Sequence, residues 1–257
     1  MGARRARGRQ SADPLEGRRT NCEESFGVFA AIRRACQVTT DIHELSIVLK
    51  RLFDVVAAGM GLILISPFMM VAAIAVRWSS PGPVFFRQER MGRGGKPFFI
   101  MKFRTMVQDS PKLGGQITVG DDPRITKVGR LLRKTKLDEL PQLLNVLKGD
   151  MSMVGPRPEV RKYVEMFADD YREILRVRPG VTDLASLKYR DESTVLAQAA
   201  DPDQEYIRRV LPEKIQYARE YIRRRSFWLD MKIIFATIFQ LLADRMPSRL
   251  SEKSKTT

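Results

Sequence analysis

Residues 55–76 read VVAAGMGLILISPFMMVAAIAV, a run of 22 without one charged side chain. As a helix at about 1.5 Å per residue it reaches about 33 Å, roughly the hydrocarbon thickness of a bilayer. A buried helix of a soluble protein is rarely so long and so apolar on every side. Ser66-Pro67 falls mid-run. Pro67 has no N–H to give, and its ring crowds the carbonyl of Ile63 four residues back, so the sequence predicts a bend. The Ser66 hydroxyl is expected to bond back to the Leu62 carbonyl and cover exposed backbone. Lys50 and Arg51 precede the run and Arg77 follows it. Basic flanks prefer the cytoplasmic side. A helix that enters, bends and returns keeps both there; a kinked spanning helix is the alternative.

Upstream, residues 1–46 read as a basic, disordered tail, with residues 1–20 rich in Arg, Gly and small polar side chains. Downstream, Ser79-Ser80-Pro81-Gly82-Pro83 is a cluster of breakers and a natural boundary. Two aromatic-rich runs, 84–90 and 98–104, flank Gly92, Gly94 and Gly95 and predict a β-hairpin with turn glycines. Residues 107–122 read as a polar loop and 125–134 as a basic helix. Leu137, Leu140, Leu144 and Leu147 predict one apolar helix face, closed by Gly149 as a left-handed cap. Gly155-Pro156-Arg157-Pro158 forces a rigid turn, and helices are expected near 160–175 and 202–224. Residues 227–242 are apolar, with Trp228 early and Arg223, Arg224, Arg225 and Arg245 outside. They suit a helix lying at a membrane interface, or a core helix.

The net charge of +15 implies an anionic partner: nucleic acid, an anionic membrane face or a phosphorylated substrate. The single histidine, His43, and the two cysteines, Cys22 and Cys36, all lie before residue 47. The rest of the chain therefore cannot build a Cys/His zinc site, a Ser-His-Asp triad or a thiol nucleophile. No cysteine framework suggests a secreted fold, so a reducing compartment is expected.

Between Arg87 and Lys136 stand thirteen basic residues and four acids. The run ends at the carboxylate pair Asp138-Glu139. Cations that hold phosphates, beside a carboxylate that attacks one, make a coherent site for phosphoryl chemistry. With Pro141 in a first helical turn, the helix dipole and neighbouring cations should keep Asp138 ionised. Thr135 and Asp138 also fit a capping box, and a purely structural role stays open at this level.

Several strings together carry a resemblance. They are Lys50-Arg51-Leu52-Phe53-Asp54, Ser66-Pro67, Ser80-Pro81-Gly82-Pro83-Val84-Phe85-Phe86-Arg87-Gln88-Glu89-Arg90, Lys102-Phe103-Arg104-Thr105-Met106, Asp122-Pro123-Arg124-Ile125-Thr126, Leu132-Arg133-Lys134-Thr135, Leu137-Asp138-Glu139-Leu140-Pro141-Gln142, Gly149-Asp150-Met151-Ser152, Gly155-Pro156-Arg157-Pro158 and Arg178-Pro179-Gly180-Val181-Thr182. In this order the chain resembles the bacterial sugar transferases, or monotopic phosphoglycosyl transferases, from Lys50 to about Leu242.

The resemblance implies a mainly helical α+β fold. A re-entrant membrane helix-break-helix (47–78), broken at Ser66-Pro67, precedes a compact membrane-interface catalytic domain (79–245) with a short β-hairpin and an interfacial C-terminal helix. A polar tail, 246–257, follows. It implies Asp138 as nucleophile on the β-phosphate of a UDP-sugar, a phosphosugar-aspartyl intermediate, release of UMP, and transfer to polyprenyl phosphate. Mg²⁺ is the implied cofactor, with Glu139 and Asp138 as ligands. Lys102, Arg133 and Arg157 are the expected phosphate-binding cations, with Arg87 and Arg124 beside them. The expected partners are UDP-sugar, polyprenyl phosphate and membrane lipid, with no nucleic acid; a homodimer is allowed. The expected location is the cytoplasmic face of the bacterial inner membrane. Longer relatives carry four further transmembrane helices before this region, so the chain resembles the short form with an N-terminal extension. The competing class is a non-enzymatic basic membrane adaptor or tethered nucleic-acid binder. It accounts for the charge and the apolar run but not for Asp138-Glu139.

Overall fold

A computed structural model describes residues 16–108, 110, 122–188 and 196–243, with side chains from residue 46. The chain divides into two units, residues 1–50 and 51–257. Helix α1, Glu16–Ser79, runs through both. The stretch expected to be a disordered tail is thus helical from Glu16; no proline occurs from Glu16 to Ser66 to stop it. Residues 1–15 and the tail 246–257 lie outside the described residues. Within α1, Ser46–Ser79 is the one helix among the described residues long and apolar enough to cross a membrane. The helix continues through Ser66-Pro67, so Pro67 lies inside one helix and not at a gap between two. The Ser66 hydroxyl donates to the carbonyl of Ile63 at 2.8 Å, not to that of Leu62. Ile63 is the residue whose carbonyl lost its amide partner to Pro67, so the hydroxyl repairs the defect that the proline makes.

Both ends of the apolar run are tied to the rest of unit 51–257. On the first arm, Asp54 is buried and its Oδ1 accepts from the Met153 amide at 3.0 Å. Arg51 donates to the Leu147 carbonyl at 3.3 Å, and Ala58 and Leu62 pack on Ile100, Leu143 and Val146. On the second arm, Ala72 and Val76 pack on Phe103 and Leu132. Buried Arg104 donates to the carbonyls of Ser80 and Pro81, each at 2.7 Å, and of Val76 at 3.4 Å. Between the arms Ile63, Leu64 and Phe68 are 75%, 74% and 69% exposed.

The predicted hairpin forms from β1, Phe85–Met91, and β2, Pro97–Phe103, antiparallel with Phe85 opposite Phe103 and Met91 opposite Pro97. Gly94 and Gly95, at φ 70° and 72°, take the left-handed conformations in the turn. Helix α2, Lys127–Lys134, starts where the Thr126 hydroxyl accepts from the Gly129 amide. A 3₁₀ turn, Leu137–Glu139, and helix α3, Gln142–Lys148, follow; Gly149 closes α3 at φ 97° as expected. The leucine spacing mispredicts the buried face. Because Leu137 and Leu140 precede α3, its buried side is Gln142, Leu143, Asn145 and Val146, and Leu147 is exposed.

Asn145 explains how α3 meets the hairpin. Its Oδ1 accepts from the Met101 amide at 3.0 Å and its Nδ2 donates to the Phe99 carbonyl at 2.8 Å. One buried amide side chain thus satisfies the edge of β2 as another strand would. Strands β3, Ser152–Val154, and β4, Gly180–Thr182, pair in parallel. A Cβ on Gly180 would lie 2.1 Å from the Gly155 nitrogen, so only glycine permits this approach. It seats the Pro156-Arg157-Pro158 turn against the segment that follows Arg178.

Helices α4, Arg161–Met166, and α5, Ala168–Ile174, precede β4; α6, Leu184–Lys188, follows it. Helix α7, Pro202–Glu205, continues through a π turn into α8, Leu211–Arg224. Tyr163, Tyr171, Tyr206 and Leu211 share their core. Helix α9, Phe227–Ala243, is two-faced. Asp230 and Ile233 are buried, with the Tyr221 hydroxyl 2.8 Å from Asp230, while Trp228, Phe235, Phe239 and Leu242 are exposed.

Candidate active site

Asp138 and Glu139 sit in the 3₁₀ turn that joins α2 to α3. Lys136 starts that turn at φ 55°, the one non-glycine with positive φ among the described residues. Thr135 does not form a capping box: it ends α2, and its hydroxyl bonds back to the Leu131 carbonyl at 2.9 Å. Asp138 lies in the 3₁₀ turn before α3 and not in that helix's first turn, so the expected help from its dipole is weakened.

Strand β2 delivers Lys102 and the Pro-Arg-Pro turn delivers Arg157 to the same carboxylate. Lys102 Nζ is 2.7 Å from Glu139 Oε1, and Arg157 Nη2 is 2.6 Å from the same oxygen. Arg157 is itself fixed, its amide donating to buried Asp183 at 3.2 Å. Burial pushes the Glu139 carboxyl up, but Arg157 and Lys102 together outweigh it and hold Glu139 well below the usual range. Burial pulls Lys102 down from its usual value, against the attraction of Glu139.

Asp138 behaves oppositely. Burial, and then the charge of Glu139, push its carboxyl up; Lys102, Lys136 and Arg133 pull the other way without reversing the shift. Burial thus outweighs the neighbouring cations in the direction of the shift. Oδ1 of Asp138 is buried and has no hydrogen-bond partner among the described residues. Buried polar atoms are nearly always partnered, so an orphaned carboxylate oxygen within charge reach of three cations makes this the candidate site.

Arg133, on the last turn of α2, donates from Nε to Thr105 Oγ1 at 2.8 Å. It acts on Asp138, Asp122 and Glu139 through its charge. Arg124 lies within charge reach of Arg133 but is held by Asp122, with Nη2 at 2.6 Å and Nε at 2.9 Å. Arg87 is not brought in. It pairs with Met101, whereas Lys102 pairs with Phe86, and neighbouring strand residues point to opposite faces, so Arg87 stands exposed on the other side of the hairpin from Lys102. Sequence reasoning assigned no role to Thr105, Asp183 or Asn145. Thr105 lay inside a quoted string, but its contact with Arg133 spans 28 residues and has no local signature.

Among the described residues no three Asp, Glu, His or Cys side chains gather as a metal site. Two adjacent carboxylates, one with an unpartnered oxygen, still suit Mg²⁺, which takes one or two carboxylates and completes its shell with water and phosphate oxygens.

The family described as bacterial sugar transferase matches residues 45–244. The UDP-N-acetylgalactosamine-undecaprenyl-phosphate N-acetylgalactosaminephosphotransferase of Aeromonas hydrophila is 43% identical over 199 residues, 76% of this chain and 44% of that protein. The UDP-glucose:undecaprenyl-phosphate glucose-1-phosphate transferase of Escherichia coli (strain K12) is 42% identical over 206 residues, 78% of this chain and 42% of that protein. The Caulobacter vibrioides transferase of the same name is 41% identical over 198 residues, 75% of this chain and 69% of its own length. The chain thus spans less than half the length of the first two relatives. With the match covering most of its residues and containing the Asp138-Glu139 site, the chain belongs to the bacterial sugar transferase family.

Proposed function

We propose that the chain transfers a phosphosugar from a UDP-sugar to a polyprenyl phosphate, undecaprenyl phosphate in bacteria, and releases UMP. This would be the first membrane step in assembling a surface glycan or glycoconjugate. The observation that carries the reading is the buried, unpartnered Oδ1 of Asp138 beside a Glu139 clamped by Lys102 and Arg157. The names of the relatives supply the substrate class.

In the first half-reaction an Asp138 oxygen bonds to the β-phosphorus. The bond from that phosphorus to the bridging oxygen breaks, and UMP leaves with the electron pair. In the second, a phosphate oxygen of the polyprenyl phosphate bonds to the same phosphorus, and the Asp138–phosphorus bond breaks to restore the carboxylate. Lys102 and Arg157 hold Glu139 anionic, and Arg133 binds phosphate oxygens. Glu139 and Asp138 are the residues that would hold Mg²⁺, which when bound shields the diphosphate charge.

The membrane arm is read as re-entrant, with both roots on the cytoplasmic face of the bacterial inner membrane. Support comes from the two roots, each fixed to one catalytic unit that cannot lie on both sides of a bilayer at once.

The test is pre-steady-state. In detergent with Mg²⁺, UMP should appear from the UDP-sugar before polyprenyl phosphate is added, to about one equivalent per site, with a phosphosugar on the peptide that holds Asp138. Asp138→Asn should abolish the burst, and chelator should suppress it. A burst that survives in Asp138→Asn would move the mechanism to direct attack by the lipid phosphate.

A further inference from the structure

The cations around Asp138 are not equivalent. Arg157 and Lys102 have their donors on Glu139, and Arg124 has its fork on Asp122 and the Ser110 carbonyl. Arg133 differs: its hydrogen bond runs from Nε to Thr105 Oγ1 at 2.8 Å, and neither terminal nitrogen is among the buried atoms without a partner. A guanidinium held by Nε keeps its Nη1–Nη2 edge for a planar, two-point contact with an anion.

The support under Arg133 is stiff. Thr105 is buried, and its carbonyl accepts from the Thr126 amide at 3.0 Å, where α2 begins. A Cβ on Gly129 would lie 2.0 Å from the same carbonyl oxygen, so α2 rests directly on the Thr105 backbone. Arg133 is one turn further along that helix. The same residue therefore fixes the helix by its backbone and the guanidinium by its side chain.

We infer that Thr105 is a positioning residue: its hydroxyl holds Arg133 by Nε and so presents the outer edge of the guanidinium to the diphosphate of the donor. The inference rests on the proposed reaction for the identity of that diphosphate, but it can be tested without turnover. Without the hydroxyl, Nε loses its partner and the fork can swing away from the phosphate.

The experiment measures UDP binding, with Mg²⁺, to the full chain in detergent. It compares wild type, Thr105→Val, Thr105→Ser, Arg133→Lys and the Thr105→Val/Arg133→Lys double variant. Thr105→Val should weaken binding by about ten-fold, and Thr105→Ser should restore most of it. Lysine has no Nε to be held, so in the Arg133→Lys background Thr105→Val should add almost nothing. Thr105→Ala, which removes the hydroxyl by deletion, should repeat the pattern if Thr105→Val folds poorly. Unchanged binding in Thr105→Val, or losses that multiply in the double variant, would overturn the assignment; a merely structural threonine gives the second result. UMP release on the same samples reports on the reaction alone. Wild type that binds UDP but releases no UMP counts against the transfer chemistry and leaves the binding comparison decisive for Thr105.

Discussion

The dyad shows two neighbouring carboxylates pushed in opposite directions. Glu139 has two cations within 2.7 Å and is held down; Asp138 is buried with an unpartnered oxygen and is pushed up. The raised value means that the folded state binds a proton on Asp138 more readily than the unfolded chain does. Ionised Asp138 therefore costs stability at neutral pH, a cost that disappears as pH falls through its folded value. Asp138→Asn should remove that cost while removing activity. In chelator at neutral pH, the variant should melt higher than wild type. The difference should shrink as pH is lowered into the carboxylate range. A melting point at or below wild type across that range would show that burial of Asp138 carries no strain. The adjacency and chemistry of these two residues were legible in the sequence. Their opposite shifts were not, because they depend on Lys102 and Arg157, 37 and 18 residues away.

Secondary structure was legible where local chemistry decides it: turn glycines in the hairpin, Thr126 at the start of α2, Gly149 at the end of α3. It failed where a 3₁₀ turn precedes the helix. Pro141 separates the 3₁₀ turn from α3, so a leucine spacing that looks helical does not lie on one helix. Pro67 acts differently, since Ser66 takes over the freed Ile63 carbonyl and the helix continues. On the re-entrant reading, single cysteines at Lys50 or at Ser79, in a chain with Cys22 and Cys36 replaced, should both resist an impermeant thiol reagent applied to intact cells. Pro67→Leu restores the missing amide donor and favours a straight span, so one of the two sites should then become reactive from outside. Outside labelling of either site with Pro67 intact would rule out a re-entrant arm.

At the scale of the whole molecule, exposed apolar side chains occur on the arm between its two roots and on the outer face of α9. The sequence left α9 open between a core and an interfacial helix, and the structure gives it one buried and one exposed face. Asp230 and Ile233 turn inward; Trp228, Phe235 and Phe239 turn outward. Aromatic side chains on such a face suit the headgroup region. Phe235→Ser with Phe239→Ser should therefore raise KM for polyprenyl phosphate several-fold, while the UMP burst from the soluble donor keeps its amplitude. Equal losses in both half-reactions would instead mean that these rings support the fold.

The hydrogen bonds at the roots of the arm have a consequence for how a lipid substrate is met. Asp54 is fixed to the amide of Met153, and Arg104, two residues past Lys102, grips the backbone where the second arm ends. Anchor and proposed nucleophile therefore belong to one unit, and on the proposed topology the protein would work at a set altitude above the bilayer. A phosphate must ride at that altitude to be reached. The enzyme would thus gauge its lipid by the elevation of the headgroup, with the length of the hydrocarbon tail below left unmeasured.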